Sequence, residues 1–594
     1  MSQLFYQYQQ AIDEIRQGKR TEGRARLREL NRRNPENAQI ALSLGHLEAQ
    51  ERNFDQALTL FESLLAHQDF AAQGAALIVQ TLIRAGRGRD ATARSLVLRR
   101  VLDSDPQLAL ATAAAFSSIY DFTQAEEVLA EQYRKKPHAE IAAARSSALV
   151  DLGRGAEAIA VLNEALREFP GDIACLAALA NATNFVSDSR EEGFRRHCAL
   201  GRMAEYALPV TDPLSFRNRP DPDRPLRIAL LSHDFRAHSV AYFVEAILRH
   251  HDRSAFHLTA FSTSFTEDAV SDRLRSLADD WKSERSGSPR LLGREVLAVS
   301  PDVVIELGGL TGGSPLPALM PQVAPVQISA IGYPNTTGFR AVQFRFVDSL
   351  TDPPGASDTF STEKLIRLDP CFLCFTPRAR RPALRVDGKE PVFASFNRVA
   401  KYSEACVRTW SEILRRSAGA RLILKSPALD SSAARGLLMR RFASAGAPPE
   451  RIELIGLQQR EEDHLAMYER IDIALDSFPY NGTTTTCEAL MQGVPVVGLE
   501  GSTHAGRVGA SLLHAAGFPE LVARSPDEYV ANAAALAPRV DELRAARTDR
   551  SQRFLSSTLC DGAAYTARWQ DAVRLLWRTW CEQKRNQSSP SALR

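Results

Sequence analysis
The chain has 594 residues, 44% hydrophobic and 24% charged, and its 73 Lys and Arg against 71 Asp and Glu leave a formal net charge of +2. So even a balance gives nucleic acid or an anionic membrane nothing to attract at long range, and any anion site must be local. At about 100–200 residues per domain, the length calls for several units rather than one core.

The opening MSQLFYQYQQAIDEIRQGKR lacks the apolar centre of a signal peptide. No later run nears the roughly 20 apolar residues that a membrane helix needs. The reading is a cytoplasmic protein with no membrane and no nucleic-acid partner. Eight cysteines in so long a chain make no disulfide framework. Cys371 and Cys374 form a CxxC with no second Cys/His pair near in sequence, so they are read as buried small side chains, and no metal site is expected.

Residues 1–205 hold few strand signals and much Ala, Leu, Arg and Glu. A small residue recurs at Gly23, Ala57, Ala91, Ala125 and Ala158, at spacings of 34, 34, 34 and 33. Gly18, Arg52, Gly86, Tyr120 and Gly153 each precede one of these by five residues, where a turn is expected, and Pro35, Pro106, Pro137 and Pro170 fall at unit ends. The period is that of the tetratricopeptide repeat: a small residue lets the second helix of each pair approach the first, and proline stops the unit. Since no single hairpin buries its apolar face, the units stack into a superhelix with a concave groove. That groove is expected to hold a client protein; a solenoid that only supports its neighbour is the alternative.

Five prolines between 207 and 228 break any helix and mark 206–225 as a linker. Beyond it, short apolar runs alternate with helix-like stretches: RIALLS (227–232), HLTAFS (257–262), DVVIEL (302–307) and VQISAI (326–331). A basic interruption at 376–391 precedes a second series, PVFASF (391–396), RLILKS (421–426), RIELIG (451–456), IDIALD (471–476) and VPVVGL (494–499). These are two Rossmann-like halves, 226–385 and 386–582, followed by a disordered tail at 583–594. Ligands of such sheets bind beyond the carboxyl ends of the strands, in a cleft between the halves.

Several residues at those ends suit an anionic ligand. Asp234 and His238 follow the first run, and a histidine at a helix start has its neutral form favoured, as a base or as a donor to phosphate or hydroxyl. GGLTGGSP (308–315) and GYPNTTG (332–338) are turns that bring backbone or small side chains near a ligand, with Tyr333 and Pro334 on the acceptor or donor-sugar side. Lys401, five residues past Phe396, is placed to neutralise a pyrophosphate leaving group. His464 opens a helix from which its ring could stack on a base. In YNGTTTTCEAL, a helix is read as opening at Glu488; Thr484, Thr485 and Thr486 offer hydroxyls and backbone N–H groups to phosphate, and Glu488 offers a carboxylate to ribose.

LLSHDFRAHSV, GYPNTTG, FNRVAKYS, DSFPYNGTTTTCEALMQGVPVV and GRVGASLL, in that order behind tetratricopeptide repeats, resemble the O-GlcNAc transferase/SPINDLY family of glycosyltransferases. The resemblance implies an α-helical repeat solenoid followed by an α/β GT-B pair. It also implies inverting, metal-independent transfer from a nucleotide-sugar donor to Ser/Thr hydroxyls of proteins, with no cofactor and a UDP-linked donor carrying GlcNAc as the first expectation. By position, His238 matches the family's active-site histidine, Lys401 its diphosphate lysine, His464 its base-stacking histidine, and Thr484 and Thr485 its phosphate threonines. Glu488 stands where animal members have a ribose-binding aspartate. FNR in place of FNQ puts Arg398 beside the expected base and leaves base and sugar identity open. The alternatives are a flagellin or other surface-protein transferase using fucose, hexose or nonulosonate, a small-molecule or lipid transferase, and a silent repeat adaptor.

Overall fold
The structure, a computed structural model, describes residues 3–17, 19–102, 105–207, 216–378, 388 and 390–588. Its contacts divide the chain into two compact units, Met1–Leu149 and Val150–Arg594.

In the first unit, antiparallel hairpins pair Gln3–Arg16 with Arg20–Arg33, Ala38–Gln50 with Phe54–Ser63, Ala71–Arg84 with Gly88–Val101, and Pro106–Ser118 with Phe122–Lys135. The periodic small residues do what their spacing implies. Ala57, Ala91 and Ala125 are wholly buried, and a Cβ on Gly23 would stand 2.7 Å from the Ala11 carbonyl oxygen. The residues read as turns, Arg52, Gly86 and Tyr120, adopt left-handed φ of 64°, 75° and 62°, reversing the chain after each first helix. Gly18 lies outside the described residues. Asn37, Asp105 and Asp121 cap their helices by accepting from backbone N–H groups.

The second unit begins with helical hairpins of its own, Gly155–Glu168, Ile173–Val186 and Arg190–Ala207. The compact division therefore differs from the expected array of 1–205: helices do run to Ala207, but the last of them pack on the α/β part. The contact is backbone-close, since a Cβ on Gly201 would stand 1.8 Å from the Gly338 carbonyl oxygen.

Two all-parallel sheets follow. The first contains β1 (Leu226–Ser232), β2 (Phe256–Ser262), β3 (Asp280–Ser283), β4 (Val303–Glu306), β5 (Val326–Ser329), β6 (Phe344–Val347) and β7 (Lys364–Arg367), in the order β3-β2-β1-β4-β5-β6-β7. The second contains β8 (Val392–Ser395), β9 (Arg421–Lys425), β10 (Ile452–Ile455), β11 (Ile473–Leu475), β12 (Val496–Leu499) and β13 (Val522–Ala523), in the order β10-β9-β8-β11-β12-β13. Their registers align buried aliphatic residues, as in Leu230 opposite Ile305 on β1 and β4. Both sheets reverse strand order beside their first strand, at β1/β4 and β8/β11, which opens a crevice at the carboxyl ends.

A long helix, Gly562–Ser588, leaves the second lobe and returns to the first. Tyr565, Trp569, Val573 and Trp577 form one buried stripe against Leu226, Ile228 and the helix Ser239–His250. The expected boundary at 582 is corrected accordingly: 562–588 completes the core of the first lobe, and 583–588 are helical rather than a tail, while 589–594 lie outside the described residues. A second core joins the lobes, with Phe243, Phe372 and Phe375 packed on Leu512 and Phe554. Among the described residues no helix is long and apolar enough to cross a membrane.

Candidate active site
A cavity of about 280 Å³ lies between the lobes, walled by His238 and Pro334 on one side and by Asn397, Lys401, Thr484 and His504 on the other.

The threonine row forms its anion end. The helix opens at Thr484, four residues before the expected start at Glu488, and runs to Met491. The first N–H groups of that helix have no intrahelical acceptor, and its dipole favours negative charge there. Thr484 is 9% exposed and its buried Oγ1 has no hydrogen-bond partner among the described residues, an orphan hydroxyl on a residue of the cavity wall. Thr485 also lines the cavity and donates its hydroxyl to Asn397 Oδ1 at 2.8 Å. The Thr486 side chain is buried beneath, outside the cavity lining, which corrects the assignment of its hydroxyl and leaves its backbone N–H in the first turn of the helix.

Lys401 follows β8 and donates to the Asn481 carbonyl at 2.7 Å, with its ammonium 4.1 Å from the centre of the Tyr480 ring. Burial brings its amine down to about 8, partly offset by Asp476. Asp476 follows β11, buried: its Oδ1 accepts from the Gly482 and Ser477 amides and from Asn397, while its Oδ2 has no hydrogen-bond partner among the described residues. Burial pushes this carboxyl up to about 6. Asn397, Asp476 and Gly482 thus fix the turn that presents the threonines; a Cβ on Gly482 would meet Thr485 Oγ1 at 2.6 Å.

His464 and Glu488 stand behind the Phe396 wall, joined to each other. Lys425, at the end of β9, donates to His464 Nδ1 at 2.6 Å, and His464 Nε2 donates to Glu488 Oε2 at 2.8 Å. This Lys–His–Glu chain holds the carboxylate that the sequence reading left free for ribose. Burial lowers the Lys425 amine to about 8. Arg398 lines the cavity and pairs with Asp151.

On the first lobe, His238 caps the helix Ser239–His250, its Nδ1 accepting from the Val240 amide at 3.3 Å. That bond leaves Nε2 to carry the proton of the neutral ring, which burial favours by lowering the imidazole. Buried Asp234 places Oδ2 3.6 Å from the same Nδ1, beyond hydrogen-bond distance, and pairs with Arg236. Tyr333 does not line the cavity: it is 5% exposed, its hydroxyl donating to His197 Nε2 at 2.8 Å and accepting from Asn184 at 3.0 Å. Its expected place on the sugar side is corrected; it anchors the helices before the first sheet. The loop glycines are also engaged internally, since the Gly308 and Gly309 amides donate to buried Glu306. Thr336 and Thr337 donate their hydroxyls to Glu363.

Cys371 and Cys374 are buried free thiols, and burial pushes Cys374 up to about 12. Among the described residues no group of three or more His, Cys, Asp and Glu has metal-holding geometry.

The profile of glycosyl transferase family 41 matches residues 187–378 and 374–569, over the cavity and both lobes, and tetratricopeptide repeat profiles match 8–72, 42–109 and 113–173. The chain belongs to glycosyl transferase family 41. Among its relatives is a tomato (Solanum lycopersicum) protein named probable UDP-N-acetylglucosamine–peptide N-acetylglucosaminyltransferase SPINDLY, 35% identical over 410 residues, 68% of this chain and 44% of that one. The Arabidopsis thaliana protein named SEC, of the same printed activity, is 25% identical over 66% of this chain and 41% of its own. The chain thus spans less than half the length of these curated relatives. A solved structure, a Lys-to-Met mutant of the Thermobaculum terrenum O-GlcNAc transferase, matches with a TM-score of 0.79 at 30% identity, over 88% of this chain and 98% of that one. A helical repeat array followed by two Rossmann-like lobes is the architecture the chain and this structure share.

Proposed function
We propose that the protein transfers a sugar, GlcNAc first in order of expectation, from a UDP-linked donor to Ser/Thr hydroxyls of a client protein held by the repeat array, in the cytoplasm and without a metal or cofactor. The observation that carries this reading is the Thr484 hydroxyl, buried at the helix start without a hydrogen-bond partner among the described residues, on a residue that lines the same cavity as Lys401. A diphosphate there would accept from Thr484 Oγ1, from the first amides of the helix 484–491 and from Lys401. The printed names of the plant relatives and of the bacterial structure support the donor class.

In this reaction an acceptor oxygen attacks the anomeric carbon as the bond to the β-phosphate breaks, inverting the centre. Negative charge grows on the departing nucleoside diphosphate. Lys401 and the helix dipole meet that charge with donors already in place, and losing one such contact typically costs about 10²–10³ in rate. His238, with its proton on Nε2, is suited to donate to a phosphate or acceptor oxygen. Glu488, set by Lys425 and His464, is suited to accept from a ribose hydroxyl.

Calorimetry with UDP, GDP and CMP tests the reading. UDP binding that disappears in Lys401→Ala supports it and makes UDP-GlcNAc the first donor to assay. Preference for GDP or CMP keeps the site and replaces the donor; no binding by any of the three overturns the reading.

A further inference from the structure
His504 was not anticipated from the sequence, and the reading above gives it no task. It sits past β12 in EGSTHAGRVG, 6% exposed, in the wall of the same cavity as His238 and Lys401. Its Nδ1 is 2.5 Å from Asp352 Oδ2, a carboxylate that is itself 5% exposed. Phe372 packs edge-on against the ring at 5.0 Å between centres, fixing its plane. Nε2 has no protein partner among the described residues.

We propose that His504 is the general base of the glycosyl transfer, taking the proton of the attacking hydroxyl on Nε2 while Asp352 holds Nδ1–H. The inference deepens the proposed function and rests on it. The two cavity histidines are set in opposite tautomers by their neighbours. His238 Nδ1 receives a backbone N–H, so its other nitrogen carries a proton and donates. His504 Nδ1 must donate to a carboxylate, so its other nitrogen keeps a lone pair. Only the second arrangement can accept a proton at the cavity face, and the orienting carboxylate then stabilises the imidazolium that results.

The step balances. The acceptor O–H bond breaks and its proton goes to Nε2; the oxygen pair forms the bond to the anomeric carbon; the pair of the broken sugar–phosphate bond leaves with the nucleoside diphosphate. The imidazolium returns its proton to solvent once products depart. Burial would raise the Asp352 carboxyl, against which the Nδ1–H bond from His504, the Arg345 charge and the Thr351 hydroxyl lower it, so it is held below the usual carboxylate range and stays ionised. Burial and Arg345 lower the His504 imidazole, against Asp352 and Asp348, which keeps the resting ring neutral; Arg190 also faces Asp352.

The test uses the full chain and nucleotide release from UDP-GlcNAc or GDP-fucose, whichever the wild type turns over. In His504→Gln and Asp352→Asn, kcat is expected to fall roughly 10²–10⁴-fold. Nucleotide affinity should stay within about twofold, since neither side chain belongs to the phosphate cradle, and the acid limb of the kcat/KM profile should vanish in His504→Gln. Nitrogen-15 histidine spectra of the wild type should show Nδ1–H at His504 and Nε2–H at His238. Unchanged turnover in His504→Gln, or a proton on Nε2 of resting His504, overturns the assignment. So does a loss of rate matched by an equal loss of nucleotide affinity. If either variant fails to fold, the wild-type spectra decide. A wild type that binds nucleotide but releases none from either donor refutes glycosyl transfer itself, and the base with it, whereas turnover surviving in His504→Gln removes only the base.

Discussion

Replacing Tyr333 by Phe separates an architectural role from a catalytic one. His197 is wholly buried; its Nδ1–H donates to the Gly193 carbonyl at 2.7 Å, so Nε2 must accept, and among the described residues its partner is the Tyr333 hydroxyl. The same oxygen takes the Asn184 amide. Tyr333→Phe removes both bonds and leaves a buried acceptor on His197 and a buried donor on Asn184. An unsatisfied buried group costs about 1–3 kcal/mol, so the pair amounts to about 2–4 kcal/mol after local relaxation. The assay is urea unfolding followed by tryptophan fluorescence; the tryptophans all lie in the second unit, whose transition should move to lower urea. Nucleotide affinity, measured calorimetrically below the transition, should stay within about twofold. A variant of wild-type stability whose UDP or GDP affinity falls tenfold or more would refute this accounting and return Tyr333 to the cavity.

His197 also sets an acid limit. Burial lowers its imidazole to about 4 from 6.5, so the unfolded chain binds the proton first, and stability present above pH 6.5 is lost as pH falls toward 4, by up to about 3 kcal/mol. Urea midpoints measured between pH 7.5 and 5 should show that slope, and His197→Gln should flatten it. With the Lys401 amine at about 8, diphosphate affinity should weaken about tenfold per pH unit above 8 in the wild type and be weak and pH-independent in Lys401→Met, by calorimetry. Thr484→Val, which removes a hydroxyl with no partner among the described residues, should leave urea stability within about 0.5 kcal/mol while UDP or GDP affinity drops roughly 10–100-fold. Gly482→Ala forces a Cβ to 2.6 Å from Thr485 Oγ1 and 2.9 Å from Asp476 Oδ1, and should lower both stability, by about 1–3 kcal/mol, and nucleotide affinity.

The nine apolar runs read from the sequence all became strands, because a strand buried on both faces leaves a continuous aliphatic signature. The strands that escaped were short ones toward the sheet edges. β3 is DWKS, only partly covered, and carries almost no apolar signal. β6, β7 and β13 are four, four and two residues long. Within the site, Lys401 and Thr484 were legible because a position past a strand end and a hydroxyl run are local features. The same rule would have found Lys425 and Asp476, each at the end of an apolar run, but a charged residue there reads as a strand terminator until its burial is known. The Lys425–His464–Glu488 chain and the His504–Asp352 pair join residues 24 to 152 positions apart, which no local spacing encodes. Tyr333 misled for the opposite reason: it follows a strand end, but its ring turns toward the preceding helices.

The chain passes from the first lobe to the second after Phe375 and comes back before the helix Gly562–Ser588, and the two passages touch, the Phe375 N–H donating to the Leu559 carbonyl at 2.8 Å. Outward and return threads therefore run through one clasp. Pulling the lobes apart loads two lengths of backbone at once, whereas turning one on the other breaks side-chain links such as His504–Asp352 and Ser511–Asp348 and leaves the backbone clasp in place. Widening of the cavity mouth is thus expected by a turn about the clasp that releases those side-chain links, with the sheets keeping their separation.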